Sequence, residues 1–285
     1  MDWLYDWNRA MEYIEEHLDG DVDLEKAARI AGCSSFAFQR IFSYLADVPV
    51  AEYIRRRRLS LAAMELASTD TKVIDVAMKW GYSNPVSFAR AFTQMEGVKP
   101  SEVRKGGNVL RNYPRILFQM TVKGAVPMEY RIEKKDRMRL VGVRKRIDCT
   151  DGNNFVEIPR FWDDVENSDV SKAIMKGNDI PSLACLGVCA DGDADGFDYW
   201  IAAGSTKPIP SDLEELILAP ATYAVFPCVG SIPSALQALW RRVFSEWFPQ
   251  SGYVPEGAQI EWYGEGDAKR SDYRSEIWIA VKKSV

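Results

Sequence analysis

The chain has 285 residues, 47% of them hydrophobic and 27% charged, which fits a soluble globular protein long enough for two domains. No apolar run is long enough to span a membrane, and the five scattered cysteines give no disulfide framework, so a reducing cytoplasm is expected. The net charge of −5 argues against a nucleic-acid partner until it is divided: residues 26–115 hold fifteen Lys and Arg against seven Asp and Glu, a local balance of +8 between acidic flanks.

Trp3, Trp7, Met11, Ile14 and Leu18 share one helical face, which predicts an opening helix that Gly20 ends. Two short helices follow, Leu24 to Ala31 and Ser34 to Leu45, then a longer one from about Val50 to Ala67. The longer helix carries the basic run Arg55 to Arg58. Four consecutive helical residues point to all sides, so these arginines cannot all face one partner, and Arg58 is expected to brace the two halves of the helical region. Val73 to Met78 and Pro85 to Met95 complete the region.

Within it one pattern is written twice. Ala28, Gly32, Ser34 and Phe38-Gln39-Arg40-Ile41-Phe42 return as Ala77, Gly81, Asn84 and Phe88-Ala89-Arg90-Ala91-Phe92. A small residue where helices cross, a glycine turn, a capping residue and an F-x-R-x-F helix are the order of a helix-turn-helix. Ser34 and Asn84 are good N-caps, and Pro85 suits the first helical position. Two such units can enter successive major grooves roughly 34 Å apart.

From Lys105 to Pro127 glycines and prolines break the pattern, which predicts a linker over 109–127 between a helical domain, 1–108, and a second domain, 128–285. Strands are predicted over Met128–Glu133 and Leu140–Arg146, then a helix with Ile158, Phe161, Trp162 and Val165, then a hairpin of Leu183–Cys189 and Phe197–Ala203. The series repeats as strands Leu216–Leu218 and Tyr223–Val229, a helix Ile232–Phe248, and strands Ile260–Tyr263 and Glu276–Val281. Asp198-Tyr-Trp-Ile-Ala202 even rhymes with Glu276-Ile-Trp-Ile-Ala280. The expected fold is an all-α double helix-turn-helix followed by an α+β domain of duplicated β-β-α-β-β units, whose halves meet along a groove suited to a small ligand.

Residues 23–104 resemble the AraC/XylS family of bacterial transcription regulators. The resemblance rests chiefly on W-G-Y-S-N-P-V-S-F-A-R-A-F and G-V-K-P-S-E-V-R of the second copy; the first departs from the pattern with Asp47 where glycine is usual. Residues 128–285 look like a GyrI-like effector-binding domain, through F-x-Y-W-I-A, L-W…W-F-P-Q-S-G-Y, I-E-W-Y and S-E-I-W-I-A-V, an arrangement similar to that of Rob-type activators.

The first resemblance implies DNA contacts from Ser35, Phe36, Gln39 and Arg40 in one copy and Pro85, Val86, Ser87 and Arg90 in the other, with Arg55 as an anchor. Arginine suits guanine or phosphate, glutamine suits adenine, and Phe36 can meet a thymine methyl, because Phe38 and Phe42 already fill the inner face. The second resemblance implies that Glu276, inside an aromatic pocket, meets a cationic ligand, with Trp162, Tyr199, Tyr223, Trp240 and Trp278 as candidate walls. The plain alternative is a rim carboxylate paired with Arg274 or Lys282.

Residues 191–196 resemble half a calcium loop but Ala202 stands where its bidentate Glu is needed, and His17 is the sole histidine, so neither a metal nor a cofactor is expected. The resulting expectation is a non-enzymatic regulator, monomeric or weakly dimeric, with double-stranded DNA, a small-molecule effector and RNA polymerase as partners. Two alternatives remain open: a small-molecule hydrolase using a pocket Glu, and a C-terminal domain that binds another protein.

Overall fold

The computed structural model describes residues 3–105, 109–119, 127–148, 154–193 and 196–284. Six α-helices come first: α1 (Trp3–Glu16), α2 (Leu24–Ile30), α3 (Ser35–Ala46), α4 (Val50–Ser68), α5 (Val73–Lys79) and α6 (Pro85–Glu96). The α2–α3 and α5–α6 pairs are the two helix-turn-helix units, and α4 joins them. Each turn glycine, Gly32 and Gly81, has positive φ (74° and 83°). The arginines of α4 divide as their directions require. Arg55 and Arg56 bind Glu52, Arg57 forms an enclosed pair with Glu15 of α1 at 2.7 Å, and Arg58 donates to the carbonyls of Leu18 and Gly20. The Arg58 guanidinium also packs under Gly81, so it ties the end of α1 to the second turn.

The chain over 109–119 does not hang free as a spacer. Its backbone N–H groups at Arg111, Tyr113, Ile116 and Phe118 donate to Glu96, Ser60, Tyr53 and Asn8 in turn. It therefore runs back along the helices to α1, where the Phe118 ring meets Trp7 edge-on at 5.6 Å.

The second region is an eight-stranded antiparallel sheet: β1 (Arg131–Lys135), β2 (Met138–Asp148), β3 (Leu186–Ala190), β4 (Gly196–Gly204), β5 (Glu214–Leu218), β6 (Ala221–Val229), β7 (Tyr253–Tyr263) and β8 (Arg274–Lys283). Helices α7 (Asn154–Glu166) and α8 (Asp169–Gly177) follow β2. Helix α9 (Ser234–Arg242) follows β6 and continues through a π-turn, Val243–Trp247, into α10 (Phe248–Ser251). The spatial order β1-β6-β8-β7-β3-β4-β2-β5 makes the duplication visible. The units β1-β2-α7-β3-β4 and β5-β6-α9-β7-β8 meet at β3 and β7, and each lends its first strand to the other's edge. Helix α8 has no counterpart in the second unit.

Cores reveal how the two regions are joined. The second helix-turn-helix has a cluster of its own, with Leu59, Leu66, Val76, Phe88 and Phe92. The first shares one continuous cluster with the second half of the sheet: Trp7, Phe38 and Phe42 lie in it with Phe226, Trp240, Phe244, Ile277 and Ile279.

Candidate functional site

Helices α3 and α6 are built alike. Ser34 Oγ accepts from the N–H of Ala37 at 3.2 Å, and Asn84 Oδ1 from that of Val86 at 2.8 Å. Both helices end on a left-handed residue, Asp47 (φ 54°) and Gly97 (φ 78°). Asp47 tolerates the conformation that glycine adopts in the other copy.

Their surroundings differ sharply. On α6, Pro85, Val86, Ser87 and Arg90 are all exposed, Val86 by 75%. On α3, Phe36, Gln39 and Arg40 are buried, with only 5%, 5% and 8% exposed, and Ser35 is half-buried. The outward placement expected for them is thus corrected, because the α+β region covers that face. The Phe36 ring lies 5.0 Å from that of Phe197, tilted 50° to it, over Gly192, where a Cβ would collide with the Phe36 ring. Gln39 Nε2 donates to the Asp193 carbonyl at 3.5 Å. Asp47 pairs with Arg241 of α9 at 2.9 Å. Arg55 lies away from this interface, held by Glu52 at 2.6 Å.

Arg40 enters a cage on the helix-bearing face of the sheet. Along β7, Ile260 and Trp262 turn to the other face, so the alternation of a strand sends Gln259, Glu261 and Tyr263 toward the helices. Glu261 Oε1 accepts from Trp240 Nε1 at 2.8 Å; Oε2 accepts from the Tyr263 hydroxyl at 2.8 Å and the Tyr199 hydroxyl at 3.4 Å. Trp162 of α7 donates Nε1 to the Tyr199 hydroxyl at 2.9 Å and meets Tyr263 edge-on. Opposite Glu261 in register is Gly187, and any Cβ there would overlap the Tyr199 hydroxyl. Bare backbone at Gly187 is what lets Tyr199 lie across β3.

Burial pushes the Tyr199 and Tyr263 phenols well above their ordinary pKa, and the Glu261 charge adds to this. They therefore stay protonated and act as donors. Neutral donors orient the carboxylate without neutralising it. The guanidinium of Arg40 supplies the positive charge: Nη2 lies 3.9 Å from Glu261 Oε1, and Cζ sits 4.7 Å above the Trp240 ring and 5.5 Å from that of Tyr44. A carboxylate with indole and phenol rings around it thus encloses the positive charge of the Arg40 guanidinium.

Glu276 is not in this cage, which corrects the expected placement. It lies on the opposite face of β8, where it pairs with Arg131 at 2.9 Å and accepts from Trp278 Nε1 at 2.6 Å. The pairing resembles the plain rim alternative, with Arg131 in place of Arg274 or Lys282. Trp278 and Tyr223 belong to the cluster on that face too, with Lys135 over Trp278 at 4.1 Å. Of the expected walls, Trp162, Tyr199 and Trp240 come together around Glu261, and Tyr223 and Trp278 do not. Glu261, Tyr263, Gln259, Cys189 and Tyr44 were missed. Glu261 and Tyr263 stand in the I-E-W-Y motif, and strand alternation from the apolar Ile260 would have turned Glu261 to the helical side.

The comparisons with known proteins agree with this division. Residues 128–282 match the GyrI-like small molecule binding domain, and residues 27–106 match a helix-turn-helix domain. The chain belongs to the AraC-type transcription regulators and carries a GyrI-like domain. Its helix-turn-helix region is 37% identical over 94 residues to the regulatory protein SoxS of Salmonella typhimurium, covering 33% of this chain and 88% of SoxS. It is 38% identical over 97 residues to the transcriptional activator AarP of Providencia stuartii, covering 34% of this chain and 72% of AarP. The sheet region shares its fold with the structure of SAV2435 bound to tetraphenylphosphonium, at 24% identity and a TM-score of 0.51, over 54% of this chain and 94% of that one. DNA binding and transcription regulation are the work of this family. No helix among the described residues is long and apolar enough to cross a membrane, and among them no group of three or more His, Cys, Asp or Glu side chains is placed to hold a metal.

Proposed function

We propose that this regulator binds operator DNA through its two helix-turn-helix units and senses a small aromatic cation at Glu261. The observation that carries the ligand class is the Glu261 carboxylate itself, only 15% exposed and set among Trp240, Tyr199 and Tyr263 with a guanidinium beside it. A carboxylate withdrawn from water is costly without a positive partner, and aromatic faces add to the attraction for one. That SAV2435 is described with tetraphenylphosphonium, a cation carrying aromatic rings, supports the reading. The hydrogen bonds that hold Glu261 as an acceptor favour binding over the hydrolase alternative, in which the same carboxylate would activate water. RNA polymerase as the partner at a promoter, and action in the cytoplasm as a monomer or weak dimer, complete the proposal.

The test is calorimetry with a matched pair of aryl ligands, one cationic and one neutral, on wild type and Glu261→Gln. The substitution keeps shape while removing charge. The cation should lose about 2 kcal/mol, roughly thirtyfold in affinity, while the neutral ligand keeps its own. Equal losses for the two would reduce Glu261 to a piece of wall.

A further inference from the structure

Arg40 and the ligand cage come from opposite ends of the chain, and the cage treats Arg40 as it would a ligand. We propose that the Arg40 guanidinium is the resident cation of the Glu261 cage, that an organic cation binds there only by displacing it, and that displacement uncovers the base-reading face of α3. This rests on the cation-sensing reading above and adds to it the identity of the competitor.

Glu261 is the carboxylate at the centre of the cage and balances one positive charge. A second cation on the Trp240 ring would sit beside the first in a poorly solvated space, where like charges repel far more than in water. Guanidinium and ligand therefore exclude each other.

Arg40 also fits the cage imperfectly. Its Nη1 donates to Cys189 Sγ, a weak acceptor, at 2.9 Å. Its Nη2 stands 3.9 Å from Glu261, beyond hydrogen-bond length. Its Nε is buried with no hydrogen-bond partner among the described residues. Gln259 is likewise 1% exposed with both amide atoms unpartnered among the described residues, in register with Cys189 and on the same strand face as Glu261. Buried polar atoms left unpaired cost free energy that a better-fitting occupant recovers. The cage thus has hydrogen-bonding capacity that Arg40 does not use.

Phe36, Gln39 and Arg40 are spaced i, i+3 and i+4, so they lie on one face and leave the interface as a unit. Phe36 is seated on Phe197 and Gln39 on the Asp193 carbonyl, beside the cage. These are the residues that the helix-turn-helix resemblance assigns to base edges. One face of α3 therefore serves either the cage or the major groove, and the ligand decides between them.

The probe is tetraphenylphosphonium, added to the full chain. Arg40→Met removes the competitor, so this variant should bind the cation about tenfold more tightly than wild type, whereas Glu261→Gln should bind it more weakly. DNA affinity of Arg40→Met should fall whether or not the competition operates, because the same side chain is assigned to the groove. Hydrogen exchange on the unaltered protein provides the independent measurement: saturating cation should speed exchange at residues 36–43 of α3 while leaving α6 unchanged. Cation binding that depends on Glu261 with neither the gain in Arg40→Met nor the loss of α3 protection would overturn the competition alone. If the cation binds neither wild type nor Arg40→Met, the cage reading fails and takes this proposal with it.

Discussion

The docking of α3 makes Phe36→Ala an unusual core substitution. Phe36 is 5% exposed, yet it meets Phe197 and belongs to the cluster of the sheet region that holds Val141 and Ile147, not the cluster that holds Phe38 and Phe42. Its removal should therefore weaken one interface without unfolding the helices. The ring contributes about 1.5–3 kcal/mol by leaving water, and the contact with Phe197 adds about 0.5–1.5 kcal/mol. If most of the resulting 2–4 kcal/mol or so falls on docking, the docked population drops relative to the released one by about thirtyfold to several hundredfold. Hydrogen exchange read by mass spectrometry would show this as faster exchange over 35–46, with amides of α1, α4 and α6 unchanged. Thermal unfolding would show the helices melting close to their former temperature. Retained protection of α3 with a joint loss of stability of the helices would instead place Phe36 in the helical core and refute its docking role.

Two further outcomes follow from particular contacts. Gly187→Ala places a methyl group on the Tyr199 hydroxyl; the tyrosine must swing away from Trp162 and Glu261, at about 1–3 kcal/mol. Calorimetric melting of the sheet region should drop by roughly 3–10 °C and cation affinity should fall, and unchanged values for both would mean that Tyr199 is not held over β3. The second outcome concerns Glu15. Burial alone would raise its carboxyl, but hydrogen bonds from Arg57 and Tyr53 outweigh it and hold it below the ordinary 4.5. A depressed carboxyl stabilises the fold fully above its unfolded value, and that contribution is lost as pH falls through the lower folded value. Glu15→Gln should cost about 3 kcal/mol at neutral pH by stranding Arg57, and its stability should decline less steeply than that of wild type below pH 4.5. Parallel acid limbs for the two proteins would show that Glu15 is not the group that titrates.

Elements with a clear period were legible. The two F-x-R-x-F helices, their caps and all eight strands follow from spacing and turn residues, because a face that must be buried repeats at the period of its backbone. The rhyme of Asp198–Ala202 with Glu276–Ala280 was also a true signal of duplication, but it misled as to the site. Asp198 pairs with Arg144 and Arg146, and Glu276 with Arg131, all on the face without helices. What repeats there is the fastening of each sheet half. Glu261 has no such echo: with Asp198 matched to Glu276, the register puts Cys189 of β3 at the position of Glu261.

The docking of α3 was harder to read, because it joins Arg40 to Cys189 and Glu261, far apart in sequence, and pairs so distant leave no period. Yet the two copies differ where it matters. In the first, Phe36 and Tyr44 stand one turn to either side of Arg40; in the second, Val86 and Gln94 flank Arg90 in the same way. Aromatic residues around an arginine are the composition of a protein-binding hot spot, because flat rings bury large area at little entropic cost and hold the guanidinium on their faces. A helix meant only for DNA gains little from Tyr44 at that position. The aromatic pair therefore marks α3 as the protein-binding helix of the two, and it is α3, not α6, that the sheet covers.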